Sequence, residues 1–214
     1  MKKMALVLAA VLASGMVLTA CGGSGNGAKE TTGNQASTTT TTTTGGLDLA
    51  VQIGPDPETV DPALNTAIDA SNVILHAFET LLTFDENNDI VPGQAESFDV
   101  SDDGLTYTFH LRDGLKWSDG SDFTAEDFVY SWKRLADPMT AAPYAADMLS
   151  MVKGYDEAAA GDIDALGVSA PDAKTLVVEL SSPCVYFDKI ITHASMAPVK
   201  KDVVDANGDQ WALA

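Results

Sequence analysis

Three histidines and two cysteines are the side chains in this 214-residue chain best suited to ligating a metal or attacking a substrate. Their spacing supports neither job. His76, His110 and His193 have neither helical nor paired ligand spacing with one another. The chain holds no H-E-x-x-H, no paired C-x-x-C, no phosphate-cradling P-loop and no G-x-S-x-G elbow. Serine, histidine and aspartate can be picked from any chain of this length, and no motif here fixes their geometry. A nucleotide fingerprint is also missing, so the residues call for no catalytic site, no metal and no cofactor. Cys184 stands in Ser-Pro-Cys-Val-Tyr-Phe among apolar neighbours, which reads as a small buried hydrophobe rather than a nucleophile.

Cys21 is different, because its neighbours specify chemistry. Lys2 and Lys3 form a short positive start, Met4–Ala13 is an almost unbroken apolar run, and small residues lead to Leu18-Thr19-Ala20-Cys21. That order is the layout of a secretory signal. A helix over Met4–Ala20 would barely cross a bilayer of roughly 30 Å, so a permanent span is the weaker reading. The tetrapeptide resembles a bacterial lipobox, in which the Cys21 sulfur is acylated and cleavage leaves it as the new N-terminus. Gly22-Gly23-Ser24-Gly25 argues against a helix continuing past it. Residues 1–20 are therefore expected to be a signal peptide and Cys21 the lipidation site, which leaves Cys184 without an intrachain disulfide partner.

Charge narrows the partners. Removing residues 1–20 leaves 10 basic and 31 acidic residues, a formal net charge of −21. Such a surface repels phosphate backbones, which excludes nucleic acid as a partner. It offers nothing to anionic lipids either, so membrane attachment must come from acyl chains.

The elements that would position a site begin late. Residues 21–46 run through Gly, Ser, Asn, Ala and Thr, including Thr38–Thr44, and can build no core; a flexible tether is expected. From Leu47 the pattern changes. Leu47–Ile53 alternates as a strand and Gly54-Pro55 stops it. Asp69–Leu82 carries Val73, Ile74, Ala77, Phe78 and Leu81 at helical spacing, and Asp85–Asp89 is a turn cluster. Leu105–Leu111 places Leu, Tyr, Phe and Leu on one strand face and His110 on the other. Thr124-Ala125-Glu126-Asp127 predicts a capping box opening a helix that Asp137-Pro138 closes. A second helical region, Tyr144–Ala160, should break near Gly154, and Thr175–Leu180 reads as a strand. The chain mixes strands and helices in an α/β or α+β arrangement, with 168 residues after the tether.

One long block is recognisable. Ala95–Arg112 continues through Lys116-Trp117-Ser118-Asp119-Gly120 into Thr124–Arg134, ending Tyr130-Ser131-Trp132-Lys133-Arg134. With Val60-Asp61-Pro62-Ala63, Thr140–Ala145, His193–Val199 and Gly208–Ala212, it closely resembles the oligopeptide-binding proteins of ABC importers, extracellular solute-binding family 5. The resemblance covers essentially all of residues 47–214. It implies an α/β, two-lobed periplasmic-binding-protein-like fold with an extra inserted domain. Residues 47–78 would open the first lobe, 79–200 form the inserted domain and 201–214 return to the first lobe. The second large lobe is missing, so a fragment that binds peptide weakly or not at all is expected.

The resemblance also implies a ligand set. Thr66, Ala67 and Ile68 correspond to an extended segment whose backbone pairs with bound peptide, tolerating any ligand side chain. Thr66 departs from the acidic residue of well-known relatives. Tyr144 would stack on or hydrogen-bond a ligand, and His193 would lie near a side-chain pocket; core packing competes at both. Trp117, Tyr130 and Trp132 read as architectural. The expected role is a lipid-anchored, extracytoplasmic receptor passing oligopeptides to an importer's permease and ATPase subunits, itself catalysing nothing. Competing readings are the same fold with nickel, haem, sugar or opine as cargo, a peptide-sensing lipoprotein, and an exported hydrolase.

Overall fold

The alternation in Thr106–Leu111 becomes the central strand of a four-stranded antiparallel sheet. The computed structural model describes residues 50–213 except Ile53. The expected signal peptide, Cys21, the tether and most of the Leu47–Ile53 strand lie outside the described residues; Ala50–Gln52 carry no regular structure. Strands β3 (Ala95–Val100), β4 (Thr106–Leu111), β5 (Val168–Asp172) and β6 (Thr175–Glu179) pair in the order β3-β4-β6-β5. In β4 the side chains of Tyr107, Phe109 and Leu111 are buried, while Thr106, Thr108 and His110 face outward. Phe109 sits opposite Phe98 on one neighbour and Leu176 on the other. The strand thus joins two apolar faces into one.

Helix α2 (Ala125–Ala136) covers that face, packing against β5 and β6. Its start is local chemistry. The Thr124 N–H donates to the Asp127 carboxylate at 2.8 Å, closing the predicted capping box. Burial nonetheless raises the Asp127 pKa, because desolvation outweighs the bonds from Thr124. Phe128, Trp132 and Leu135 are at most 1% exposed, each contributing about 2–3 kcal/mol by leaving water. Trp132 Nε1 donates to the Met196 carbonyl at 3.0 Å, so the buried indole is also satisfied.

The second helical region does break where expected. Gly154, at φ 74°, separates α3 (Ala145–Leu149) from α4 (Tyr155–Ala159). A Cβ there would lie 1.9 Å from the Ala165 carbonyl oxygen, so only glycine fits. Cys184 is buried as predicted, and its carbonyl accepts the Tyr107 hydroxyl at 3.1 Å.

The first helix is shorter than its periodicity predicts. α1 spans Ile68–Ala77 rather than Asp69–Leu82, because Phe78 turns extended at φ −122° and ψ 149°. Leu81 and Leu82 instead enter the main core through a hairpin of β1 (Leu82–Phe84) and β2 (Ile90–Pro92). Asp85 pins its turn by accepting the N–H groups of Asn87 and Asp89 at 2.8 and 2.9 Å. Those bonds hold the Asp85 carboxyl below its ordinary pKa. α5 (Phe187–Ile190), a 3-10 turn at Ala194–Met196 and α6 (Lys201–Asn207) complete the path.

Candidate functional site

The Thr66–Ile68 segment is held open by one buried side chain. Asn65 is 2% exposed. Its Oδ1 accepts the Ala67 N–H at 2.8 Å and its Nδ2 donates to Ser71 Oγ at 2.8 Å. Ser71 Oγ in turn donates to the Ala67 carbonyl at 3.0 Å. Both backbone groups of Ala67 are therefore used by the protein, with Ala67 extended at φ −113° and ψ 144°. Thr66, Ala67 and Ile68 are exposed, Ile68 at 83%. Among the described residues no other backbone group engages the N–H or C=O of Thr66. In extended chain, alternate residues direct their polar groups to opposite edges. Asn65 and Ser71 take up the backbone groups of Ala67, and those of Thr66 have no backbone partner among the described residues. Ile68, expected in the extended segment, is instead the first residue of α1, because the helix begins there.

Thr66 and Ala67 line a depression of about 350 Å³ together with Asp56, Glu58 and Asp69. Those carboxylates make its lining acidic, in keeping with the charge of the whole chain.

The structure brings two other predicted residues together. The rings of Tyr144 and His193 meet edge-on, with centroids 5.6 Å apart and planes at 76°. Both are half-buried, which suits a contact surface better than a sealed core. His193 caps the turn that follows it: its Nδ1 accepts the Ser195 N–H at 3.2 Å. Burial pushes the His193 pKa down, since a charged ring is poorly solvated there. The link to the Thr66 segment runs through α1. Its Ile74 packs against Ala194 and Ala197, next to His193, in a small cluster separate from the main core.

Three residues act together although sequence reasoning did not associate them. The buried Asp61 carboxylate accepts Arg134 Nη1 at 3.0 Å and Nη2 at 2.6 Å. It also accepts Trp211 Nε1 at 2.8 Å and the Ala63 N–H at 3.0 Å. Arg134 lies 5.9 Å from the Trp211 ring centroid, and Phe78 meets Trp211 edge-on at 6.2 Å. All three residues stand in recognisable blocks, but they are 73 and 150 positions apart. No local spacing rule joins them. A groove of about 330 Å³ beside this cluster is lined by Val60, Phe78, Trp117, Val203 and Trp211, with Asp119 and Lys200 paired within it.

The remaining candidates have structural partners. His110 bonds Asp99 at 2.9 Å on the outer sheet face, and His76 Nδ1 donates to the Asn72 carbonyl at 2.6 Å. Trp117 packs on Phe123 at 4.9 Å, and Lys201 lies over Tyr130 at 5.5 Å. Among the described residues no group of three His, Cys, Asp or Glu side chains is placed to hold a metal ion.

Comparison with known proteins agrees with this architecture. Residues 89–213 match the family described as bacterial extracellular solute-binding proteins, family 5 Middle. The periplasmic oligopeptide-binding protein OppA of Escherichia coli is 43% identical over 161 residues, covering 74% of this chain and 30% of that protein. The oligopeptide-binding protein OppA of Bacillus subtilis is 34% identical over 209 residues, covering 97% of this chain and 37% of its own length. The crystal structure of Haemophilus influenzae OppA in complex with RPPGFSPFR superposes with a TM-score of 0.72 at 40% identity. That match covers 75% of this chain and 32% of the other. The chain thus spans about a third of the length of these relatives. It belongs to the bacterial extracellular solute-binding proteins of family 5.

Proposed function

We propose that this chain is the peptide-contacting N-terminal portion of a lipid-anchored oligopeptide receptor. It collects peptides outside the cytoplasm for the permease and ATPase subunits of an ABC importer. The observation that carries the reading is the Thr66–Ala67 edge leading into α1, exposed, with Ala67 extended and the backbone groups of Thr66 without a backbone partner among the described residues. An edge of this kind recognises what all peptides share, their alternating N–H and C=O groups, and so accepts many sequences. Tyr144 and His193 would add side-chain contacts. Family membership and a relative seen with a nine-residue peptide support the cargo class.

The division into lobes is part of the same proposal. Residues 47–78 and 201–214 would belong to one lobe and 79–200 to an inserted domain. The Asp61–Trp211 bond supports it by tying the two end segments together. Cys21, acylated, would keep the receptor beside its permease.

Amide NMR of the 214-residue chain tests the ligand edge and detects even millimolar binding. Titration with defined tri- to pentapeptides should shift the Thr66 and Ile68 amides and leave the engaged Ala67 amide nearly unmoved. Shifts confined to other regions would refute the edge. Labelling cells with a tagged fatty acid should mark the wild-type chain and leave Cys21→Ala unmarked; equal labelling would refute the anchor.

A further inference from the structure

His193 has one ring nitrogen already committed. The Ser195 N–H reaches Nδ1 at 3.2 Å, and a backbone N–H can only donate. Nδ1 must therefore hold a lone pair, and a neutral imidazole then carries its proton on Nε2. A doubly protonated ring would point N–H at N–H and lose the cap on the Ala194–Met196 turn. Burial opposes that charged state as well. Nε2 has no hydrogen-bond partner among the described residues, although the ring is only half-buried. Tyr144, edge-on at 76°, restricts the ring plane. The Ser195 hydroxyl on the same turn is 3% exposed and also without a partner among the described residues.

We propose that His193 works as a neutral, fixed Nε2–H donor that selects a hydrogen-bond acceptor on the ligand. A peptide carbonyl or carboxylate fits that description. An ammonium group does not, because it has protons to give and no lone pair to offer. The inference rests on the reading that Tyr144 and His193 face bound peptide. It adds which ring nitrogen acts, in what charge state, and toward which chemical group.

Two substitutions separate the two nitrogens. In His193→Asn the side-chain oxygen falls near the Nδ1 position, so the cap survives and the outward donor is lost. In His193→Gln the amide NH₂ reaches the Nε2 position, while the Ser195 N–H loses its acceptor. H193N should keep its melting temperature and bind peptide about two- to tenfold more weakly, the worth of one neutral hydrogen bond. H193Q should melt lower and recover most of the affinity that H193N loses. H193N binding as tightly as wild type would overturn the donor. Nitrogen-15 spectra of the wild-type ring at neutral pH give a readout independent of ligand. They should show Nε2 protonated and Nδ1 bare, and the reverse tautomer or a cation would overturn the assignment. If the wild-type chain binds no peptide by amide titration, the receptor reading fails and the donor's target falls with it. The ring spectra would still decide the tautomer separately.

Discussion

Asp61→Ala should be among the most damaging single substitutions in this chain that leave its hydrophobic core untouched. The carboxylate is 5% exposed and the facing Arg134 side chain 15%. It takes two guanidinium bonds, the Trp211 indole N–H and the Ala63 N–H. Deleting it strands a largely buried cation, which costs about 3–5 kcal/mol. The orphaned indole adds to that, short of simple additivity. A loss of about 4 kcal/mol in a domain of this size lowers the melting temperature by roughly 8–16 °C. The control is Lys153→Ala, which breaks a pair whose side chains are 62% and 50% exposed; such a pair is worth less than about 1 kcal/mol. Thermal unfolding followed by near-ultraviolet circular dichroism reads both. Tryptophan emission should shift to the red in D61A as Trp211 loses its tie. In D61A/R134A the stranded charge is gone, so the double variant should be more stable than the summed single losses imply. Strict additivity, or equal shifts for D61A and K153A, would refute the reasoning.

Acid should weaken the fold through His193. The unfolded chain takes up a proton near the ordinary value of 6.5, whereas the folded ring does so only at lower pH. In that window the unfolded state binds more protons, so stability present above about pH 7 is lost as pH falls towards the folded pKa. H193N should flatten this part of the profile; an unchanged slope in chemical denaturation between pH 7 and 5 would show that another group carries it. Gly154→Ala should cost at least about 2 kcal/mol, combining the left-handed backbone penalty with the collision against the Ala165 carbonyl. Gly114 has nearly the same φ, 75°, and open space around it, so Gly114→Ala isolates the backbone term. Equal losses in the two variants would mean the collision relaxes at no cost.

Much of the scaffold is legible in the sequence by itself because its determinants are local. The two-residue alternation of Thr106–Leu111 survives as a strand since one face is buried and the other wet. α2 begins at a capping box and ends before Pro138, both decided within a few residues of the helix. The break at Gly154 follows from a conformation that other residues adopt only under strain. The block from Ala95 to Arg134, combined with the shorter matches before and after it, points to the family that the comparisons establish. Tertiary structure decided the rest. Helical spacing runs on from Asp69 to Leu82, yet α1 stops at Ala77 because Leu81 and Leu82 gain more by joining the main core. Strand order depends on which apolar faces can be buried together, and periodicity within one strand carries no such information. The edge-on meeting of Tyr144 with His193 and the closure of Asp61 on Arg134 and Trp211 join residues far apart in the chain. Burial makes these pairings strong, and burial is a property of the folded chain as a whole.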